Sequence, residues 1–491
     1  MRPQMTLPPP VMYAMPCGSL LDIPTGEYLT GTHDQRVFLG GVSNITGIVG
    51  PGNCFKTTVM RFMIFSALSR MYRIAANELF YNPYDTEINT HEHRMLNLAY
   101  SFDTFKGRNL IEEGLVNPTN KAIYMGNEFW QKTRDNLKEK MSDKKKRMFK
   151  TAFLSRDRIT PMEVPAPWFS DIDSLSQFMT SDVNDMMDKN ELGDSGGNTI
   201  FMRQGLAKMR MLMEMPTVAA QGFNFFLFTG HIGKTVNMAS APGQQPPRKQ
   251  LQGMRQDEVI KGVTNNFFYL LHNCWLIDLA SPAINQGTKA PEYPYEPGDE
   301  VAGDMDLNKV RMKQLRGKNG TSNFSLEIYV SQREGVLPYL SEFVYIKENA
   351  RYGLEGNDRN YSLSLMPDVT LSRTTVRKKM RESFALQRAV EITSQLLQLE
   401  IFHPTLKETL MRPEELYTNL KEKGYDWDFL LNKTRSWHTL DDEEYPGYPL
   451  STLDLCRVAR GEYHPYWLEQ DCKTVKPEYA KKKIGELHEQ Q

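Results

Sequence analysis

Cysteine is scarce in this chain. Five occur in 491 residues: Cys17, Cys54, Cys274, Cys456 and Cys472. They are odd in number, scattered, and never spaced as CxxC, which argues against a disulfide framework or a zinc site and fits a reducing cytoplasm. An excess of either charge is also missing. Lys plus Arg number 59 and Asp plus Glu 60, for a net charge of −1, so any contact with nucleic acid must come from local patches. No apolar run approaches membrane-span length. The start is Pro-rich, with Pro8-Pro9-Pro10, and lacks the apolar core of a signal peptide. What is present is bulk: 40% hydrophobic residues over this length can bury a large core and more than one domain.

The most informative stretch is Gly50-Pro51-Gly52-Asn53-Cys54-Phe55-Lys56-Thr57-Thr58. It follows a short apolar run over 45–49 and opens a helical pattern over 59–68. Strand, glycine-containing loop and helix in that order make a P-loop: backbone N–H groups cradle phosphates, Lys56 reaches the β/γ-phosphates, and the Thr57 hydroxyl holds Mg²⁺. The common form is G-x-x-x-x-G-K-[ST], and Phe55 stands where its second glycine belongs. The alternative is an ordinary strand-to-helix turn that contains Lys-Thr.

Residues 1–40 read as an extended lead, too short for a separate catalytic domain. Residues 77–87 read as a strand ending in Asp85-Thr86-Glu87, carboxylates at the edge where open α/β sheets do chemistry; solvated loop acids are the plain alternative. A short strand is expected over 121–125. A charged helix follows over 127–150, with Lys144-Lys145-Lys146-Arg147 near its end, a run best read as a solvated face. Asp173, after Trp168, Phe169 and Ile172, is placed to hold Mg²⁺, although Pro165 and Pro167 break the strand before it. A polar loop over 180–198 leads into a Met-rich helix over 199–213.

The clearest buried strand spans 223–231. His231 lies at its carboxyl end, either as a packing residue or as a sensor of the γ-phosphate. Residues 233–261 form a long Gly/Pro/Gln-rich loop carrying Lys234, Arg248, Lys249, Arg255 and Lys261, the candidate DNA-binding residues. Another strand is expected over 274–279. Residues 310–320 and 324–330 read as a β-hairpin with Arg316 and Lys318 on one face; a charge-blunted edge strand is the bland reading. Beyond about residue 362 the chain turns helical, with one long helix over 373–399 and a small α-rich tail.

Together these stretches resemble the RecA family, most closely the phage recombinases of the UvsX type. The residues that carry it are Gly50-Pro51 to Phe55-Lys56-Thr57, Leu79-Phe80-Tyr81 to Tyr84-Asp85-Thr86-Glu87, Ile172-Asp173-Ser174-Leu175, and Val310-Arg311-Met312-Lys313 through Arg316-Gly317-Lys318. UvsX-type P-loops also put Phe before the Lys. The resemblance covers roughly residues 40–345. It implies an α/β fold with a RecA-like P-loop core, a mostly parallel twisted sheet flanked by helices, over 41–360, followed by a C-terminal helical domain over 361–491. It further implies ATP and Mg²⁺, with Lys56 and residues 50–58 on the nucleotide, Thr57 and Asp173 on the metal, Glu87 as the hydrolytic carboxylate and His231 as the γ-phosphate sensor. Arg316 and Lys318 would reach a neighbouring subunit's site. The implied function is a DNA-dependent ATPase that polymerises on single-stranded DNA, engages duplex DNA and promotes homologous pairing and strand exchange. Two other readings share the motifs: a RecA-core hexameric helicase ring, and a nucleotide-binding structural protein without turnover. Cys54 inside the loop adds the expectation of oxidative inactivation.

Overall fold

The computed structural model describes residues 14–468 except 19, 27, 88–90, 119–125, 143–147, 156–158, 182–184, 186–196, 235–248, 264–269, 319–321, 439 and 441–446; for residues 197–205 and 207 it describes the backbone alone. The expected strand at 121–125, the Lys144–Arg147 run and Arg248 lie outside the described residues.

The fold is mixed α/β around one large sheet. Its strands are β1 (Ile45–Gly50), β2 (Phe80–Asp85), β3 (Trp168–Asp173), β4 (Asn224–Lys234), β5 (Glu258–Ile260), β6 (Asn273–Pro282), β7 (Leu307–Gly317), β8 (Ser325–Ser331) and β9 (Gly335–Val336). Their spatial order is β9-β8-β7-β6-β1-β4-β3-β2, with β5 paired to the end of β4. The five strands β6-β1-β4-β3-β2 are parallel, and β7, β8 and β9 add antiparallel to β6.

The parallel strands are covered on both faces, which is why they read as apolar runs rather than alternations. β4 shows how the two faces divide. Phe225 and Leu227 join one buried cluster with Phe169 and helix α1 (Lys56–Ala75). Phe226 and Phe228 join a second, with Phe129, Trp130 and Leu137 of α2 (Gly126–Ser142) and Met211, Leu212 and Met215 of α3 (Gly197–Gly222). Successive strand residues point to opposite faces, so this single run holds both helical layers to the sheet.

Several local expectations change. The charged helix stops at Ser142, and residues Met148–Leu154 instead pair antiparallel with Pro161–Pro165 in a separate two-stranded sheet. β3 starts only at Trp168, just past Pro165 and Pro167; a proline has no N–H to give a central ladder, so the break marks where the chain changes sheets. The expected long helix over 373–399 is two helices, α4 (Val376–Glu382) and α5 (Phe384–Phe402). They part at Ser383, which is extended (φ −125°, ψ 107°) and caps α5 by accepting from the Leu386 N–H. The segment over 233–261 is not wholly structureless, since β4 runs to Lys234 and β5 pairs back on it. Among the described residues no helix is long and apolar enough to cross a membrane.

One buried cluster runs from Met15 and Leu20 through α1 to Leu386, Ile392 and Leu396 of α5 and on to Trp467. The described C-terminal helices therefore share apolar core with the helix that follows the P-loop stretch.

Candidate active site

Strand order reverses around β1. β4 lies on one side of it and β6 on the other, and the chain leaves β1 through residues 51–55 into α1. Such a reversal opens a crevice at the carboxyl ends of the strands.

The loop in this crevice turns through the left-handed region twice without a glycine at either position. Phe55, where the common loop has its second glycine, does so at φ 65°, and Asn53 at φ 55°. A side chain there costs about 1–2 kcal/mol. The Phe55 ring offsets part of this by packing on the α1-side core. At Gly50 the requirement is for glycine itself, because an added Cβ would meet the Ile277 carbonyl oxygen at 2.6 Å. Phe55 is also the N-cap of α1 and supplies no side-chain acceptor for the first-turn N–H groups. Pro51, Gly52 and Asn53 are exposed, whereas Lys56 is 7% exposed. Its ammonium is folded back, donating to the Pro51 carbonyl and lying 3.8 Å from Cys54 Sγ.

The acids gather at the same edge. β2 and β3 end in register, Asp85 opposite Asp173. The Thr57 hydroxyl donates to Asp173 Oδ2 at 2.6 Å, and Thr229, midway along β4 and level with Ile48 of β1, donates to Oδ1. Glu87 Oε1 receives two donors: Ser174 Oγ–H at 2.7 Å and His231 Nε2–H at 2.8 Å. A carboxylate only accepts, so the proton sits on Nε2. His231 is itself paired with Gly50 across the β4–β1 ladder. Thr86 closes the arrangement, accepting from Ser174 N–H at 2.7 Å and donating to the Ser174 carbonyl at 2.8 Å. Behind this edge, on the α1 face, Asp171 is fully buried, accepts from the Tyr81 hydroxyl and the Tyr84 N–H, and lies 3.9 Å from Arg61. Burial pushes its carboxyl up to about 6.

Sequence reading singled out Lys56, Thr57, Glu87, Asp173 and His231, and the structure brings all five to one edge. It missed Ser174, Thr229 and Thr86. Their signal was slight: Ser174 and Thr86 each stand one residue past a strand's carboxyl end and Thr229 lies within a strand, hydroxyls that gain meaning only once the strand order is known.

Arg316 and Lys318 stand elsewhere. Arg316 pairs with Cys274, which is level with Gly47, and donates to the Leu271 carbonyl at 3.0 Å. Lys318 N–H meets the His272 carbonyl, and His272 N–H meets that of Ile45. Lys318 is thus near the level of Ile45 at the start of β1 and Arg316 is level with Gly47, about 16 Å and about 10 Å along the strand from its far end. Neither serves its own chain's crevice. Burial, then the Arg316 charge, lowers the Lys318 pKa.

Of the candidate DNA-binding residues, Lys234, Lys249, Arg255 and Lys261 surround the β4–β5 pair beyond His231. The Lys261 N–H donates to the His231 carbonyl at 2.9 Å. Lys234 lies 3.8 Å from Asp257, and Arg255 lies 3.8 Å from Glu258. Lys208 of α3, unnoticed in the sequence, is 2% exposed and donates to the carbonyls of Leu175 and Gly262, each at 3.1 Å. It ties the segment after Asp173 to the segment after Lys261. Burial lowers its pKa from 10.5 to about 8. The unfolded chain then holds this proton more tightly between those values, so folding stability gains with rising pH across that window. Urea denaturation at pH 8 and pH 10.5 is expected to show this gain, and Lys208→Met to flatten it.

Cys54 corrects its expectation. The thiol is 4% exposed, donates to the Pro51 carbonyl at 3.0 Å, and burial raises its pKa despite nearby Lys56. A raised, covered thiol is a poor nucleophile. Alkylation by iodoacetamide is expected to be slow in the native protein and fast after unfolding, followed by mass spectrometry of the Cys54 peptide.

The metal expected at Thr57 and Asp173 suits these residues. Among the described residues no group of three or more His, Cys, Asp or Glu could hold a metal ion. Mg²⁺ commonly takes one or two protein oxygens and completes its shell with waters and phosphate oxygens, and a hydroxyl 2.6 Å from a carboxylate oxygen is such a pair.

No protein-family model and no curated protein matches this sequence. Among solved structures the chain is similar to the ATPase domain of G40P, at 13% identity over 60% of this chain and 83% of that chain, with a TM-score of 0.31. That likeness is too slight to bear on activity. The fold stands on its own geometry: a large central sheet, helices on both faces, and a constellation of Lys, Thr, Asp, Glu and His at one edge.

Proposed function

We propose that this chain is an oligomeric, DNA-dependent ATPase with a RecA-like core, acting as a recombinase on single-stranded DNA. One observation carries the hydrolytic part. Glu87 is oriented by Ser174 and His231 at the same sheet edge as a P-loop-like turn whose helix lacks a side-chain cap.

Hydrolysis of a phosphoanhydride rests on positioning and charge stabilisation. The first-turn N–H groups of α1 and Lys56 receive the phosphates, Lys56 exchanging the Pro51 carbonyl for a phosphate oxygen. Thr57 and Asp173 hold Mg²⁺, which neutralises phosphate charge when bound. Glu87 orients a water and takes its proton. His231 touches Glu87 through its ring and Lys261 through its backbone, so a change at the γ-phosphate reaches the basic segment that would contact DNA. Strand pairing and exchange is the activity the sequence resemblance implies.

The test is ATP turnover with and without single-stranded DNA, alongside strand exchange and unwinding of a tailed duplex. Stimulation by DNA together with strand exchange is the expected result. Unwinding without exchange would make the chain a helicase, and nucleotide binding without turnover would remove the ATPase reading.

A further inference from the structure

A second feature lies away from the nucleotide crevice. The wall of α1 opposite its loop borders a cavity of about 1000 Å³. None of residues 50–58, Glu87, Asp173 or His231 lines it. Arg70, in its wall, follows Lys56 by fourteen residues, about 21 Å along the helix. The rest of the wall comes from segments around Lys106, Arg333, Arg381 and Lys433.

Its chemistry is lopsided in a chain of nearly balanced charge. The described lining carries eight Lys and Arg side chains against three Asp and Glu. Four of the cations are engaged by carboxylates: Arg333 with Asp306, Arg377 with Asp306 and Glu334, Arg381 with Glu296, and Arg388 with Glu391. Arg70, Lys106 and Lys433 have no carboxylate within ion-pair distance among the described residues. Arg435 donates to the carbonyls of Gly447 and Trp437. Arg70 is 8% exposed and is stacked with its guanidinium 4.5 Å from the Trp437 ring centre. Arg70 also interacts with the buried carboxyls of Asp22 and Glu342, and the excess of cations among the described lining residues is of the kind that an anionic ligand relieves.

Aromatic surface accompanies the charge. Phe384, the first residue of α5, lines the cavity and is 51% exposed, and Tyr295, also in the wall, is 40% exposed. An exposed aromatic ring in the wall that also carries Arg70, Lys106 and Lys433 fits a ligand that is anionic at one end and flat at the other. The volume is at the upper end of small-molecule sites, roughly 300–1,000 Å³.

We propose that this cavity is a second nucleotide site, binding a nucleoside polyphosphate through Arg70, Lys106 and Lys433, with its base against Phe384. The site is independent of the P-loop-like turn, and its occupant bridges α1 to the C-terminal helices.

The test uses calorimetric titration of the full chain with ATP and with inorganic tripolyphosphate. In a Lys56→Ala/Thr57→Ala variant, about one equivalent of ATP is expected to bind still. Adding Lys106→Gln/Lys433→Gln, both exposed positions, is expected to weaken both ligands at least about tenfold. Adding Phe384→Ala instead is expected to weaken ATP alone. Loss of all binding in Lys56→Ala/Thr57→Ala overturns the second site, as does residual binding indifferent to Lys106→Gln/Lys433→Gln. Unchanged ATP binding in the Phe384→Ala variant, or equal weakening of ATP and tripolyphosphate, overturns the nucleotide assignment and leaves a bare polyphosphate site. A wild-type protein whose single equivalent survives Lys56→Ala/Thr57→Ala but not Lys106→Gln/Lys433→Gln would instead sink the P-loop reading and leave this site standing.

Discussion

Glu87→Gln is expected to bind ATP nearly as well as the native protein and to hydrolyse it about 10²- to 10⁴-fold more slowly, the range for losing a positioned general base. The substitution keeps the size of the side chain. Its amide oxygen can still accept from Ser174 and His231, which both fall on one oxygen of Glu87, so the fold and the strand edge are unperturbed. What is lost is a group able to take a proton from water. Separate measurement of nucleotide binding and single-turnover hydrolysis distinguishes the cases. A variant that turns over normally would mean that Glu87 is only a structural partner of His231. A companion His231→Asn is expected to reduce the response to DNA more than the basal rate, since His231 links Glu87 to Lys261.

Replacing Arg316 and Lys318 with Ala is expected to lower DNA-stimulated turnover by about 10³-fold, the scale of charge supplied in trans to phosphoryl transfer. The reason is position. Both cations are level with the first half of β1 while the proposed nucleotide crevice is at its end, so a head-to-tail neighbour is the route by which they would meet a phosphate. This makes a mixing result decisive. Glu87→Gln and Arg316→Ala/Lys318→Ala, each inactive alone, should regain activity together, because about a quarter of randomly formed head-to-tail interfaces pair two intact halves. Recovery shows a composite site. If mixing recovers nothing while both variants still co-assemble, the hairpin cations have a structural role, with Arg316 holding the Leu271 carbonyl as it does within the chain.

Much of this was legible in the chain itself, for identifiable reasons. Parallel strands buried on both faces leave apolar runs, so β1 and β4 stood out, and the alternation over 310–330 showed the β7–β8 hairpin. The residues with chemistry at strand ends were visible because strand ends are visible. Ser174 and Thr229 were not, since a hydroxyl gains a role only when another strand brings it a carboxylate. Lys208 was hidden by its helix, where a lysine ordinarily faces water. The split at Ser383 was missed because apolar spacing continues across it, and only the backbone angle and the cap reveal the break. Phe55 is the reverse case: the sequence showed a departure from the common loop, and the backbone shows that the departure changes the residue but not the left-handed geometry.

The folded-back Lys56 ammonium has a kinetic meaning. It already has an acceptor in the Pro51 carbonyl, so it joins a nucleotide only by giving up a hydrogen bond worth about 1.5–3 kcal/mol for a charged donor, equivalent to about ten- to a hundredfold in affinity. The γ-phosphate of ATP competes well for that ammonium. ADP offers less, and the Pro51 carbonyl is always within reach to reclaim it. In the proposed ATPase the loop would thus carry its own eviction device, biasing occupancy toward the triphosphate and shortening the residence of spent nucleotide without any movement of the surrounding sheet.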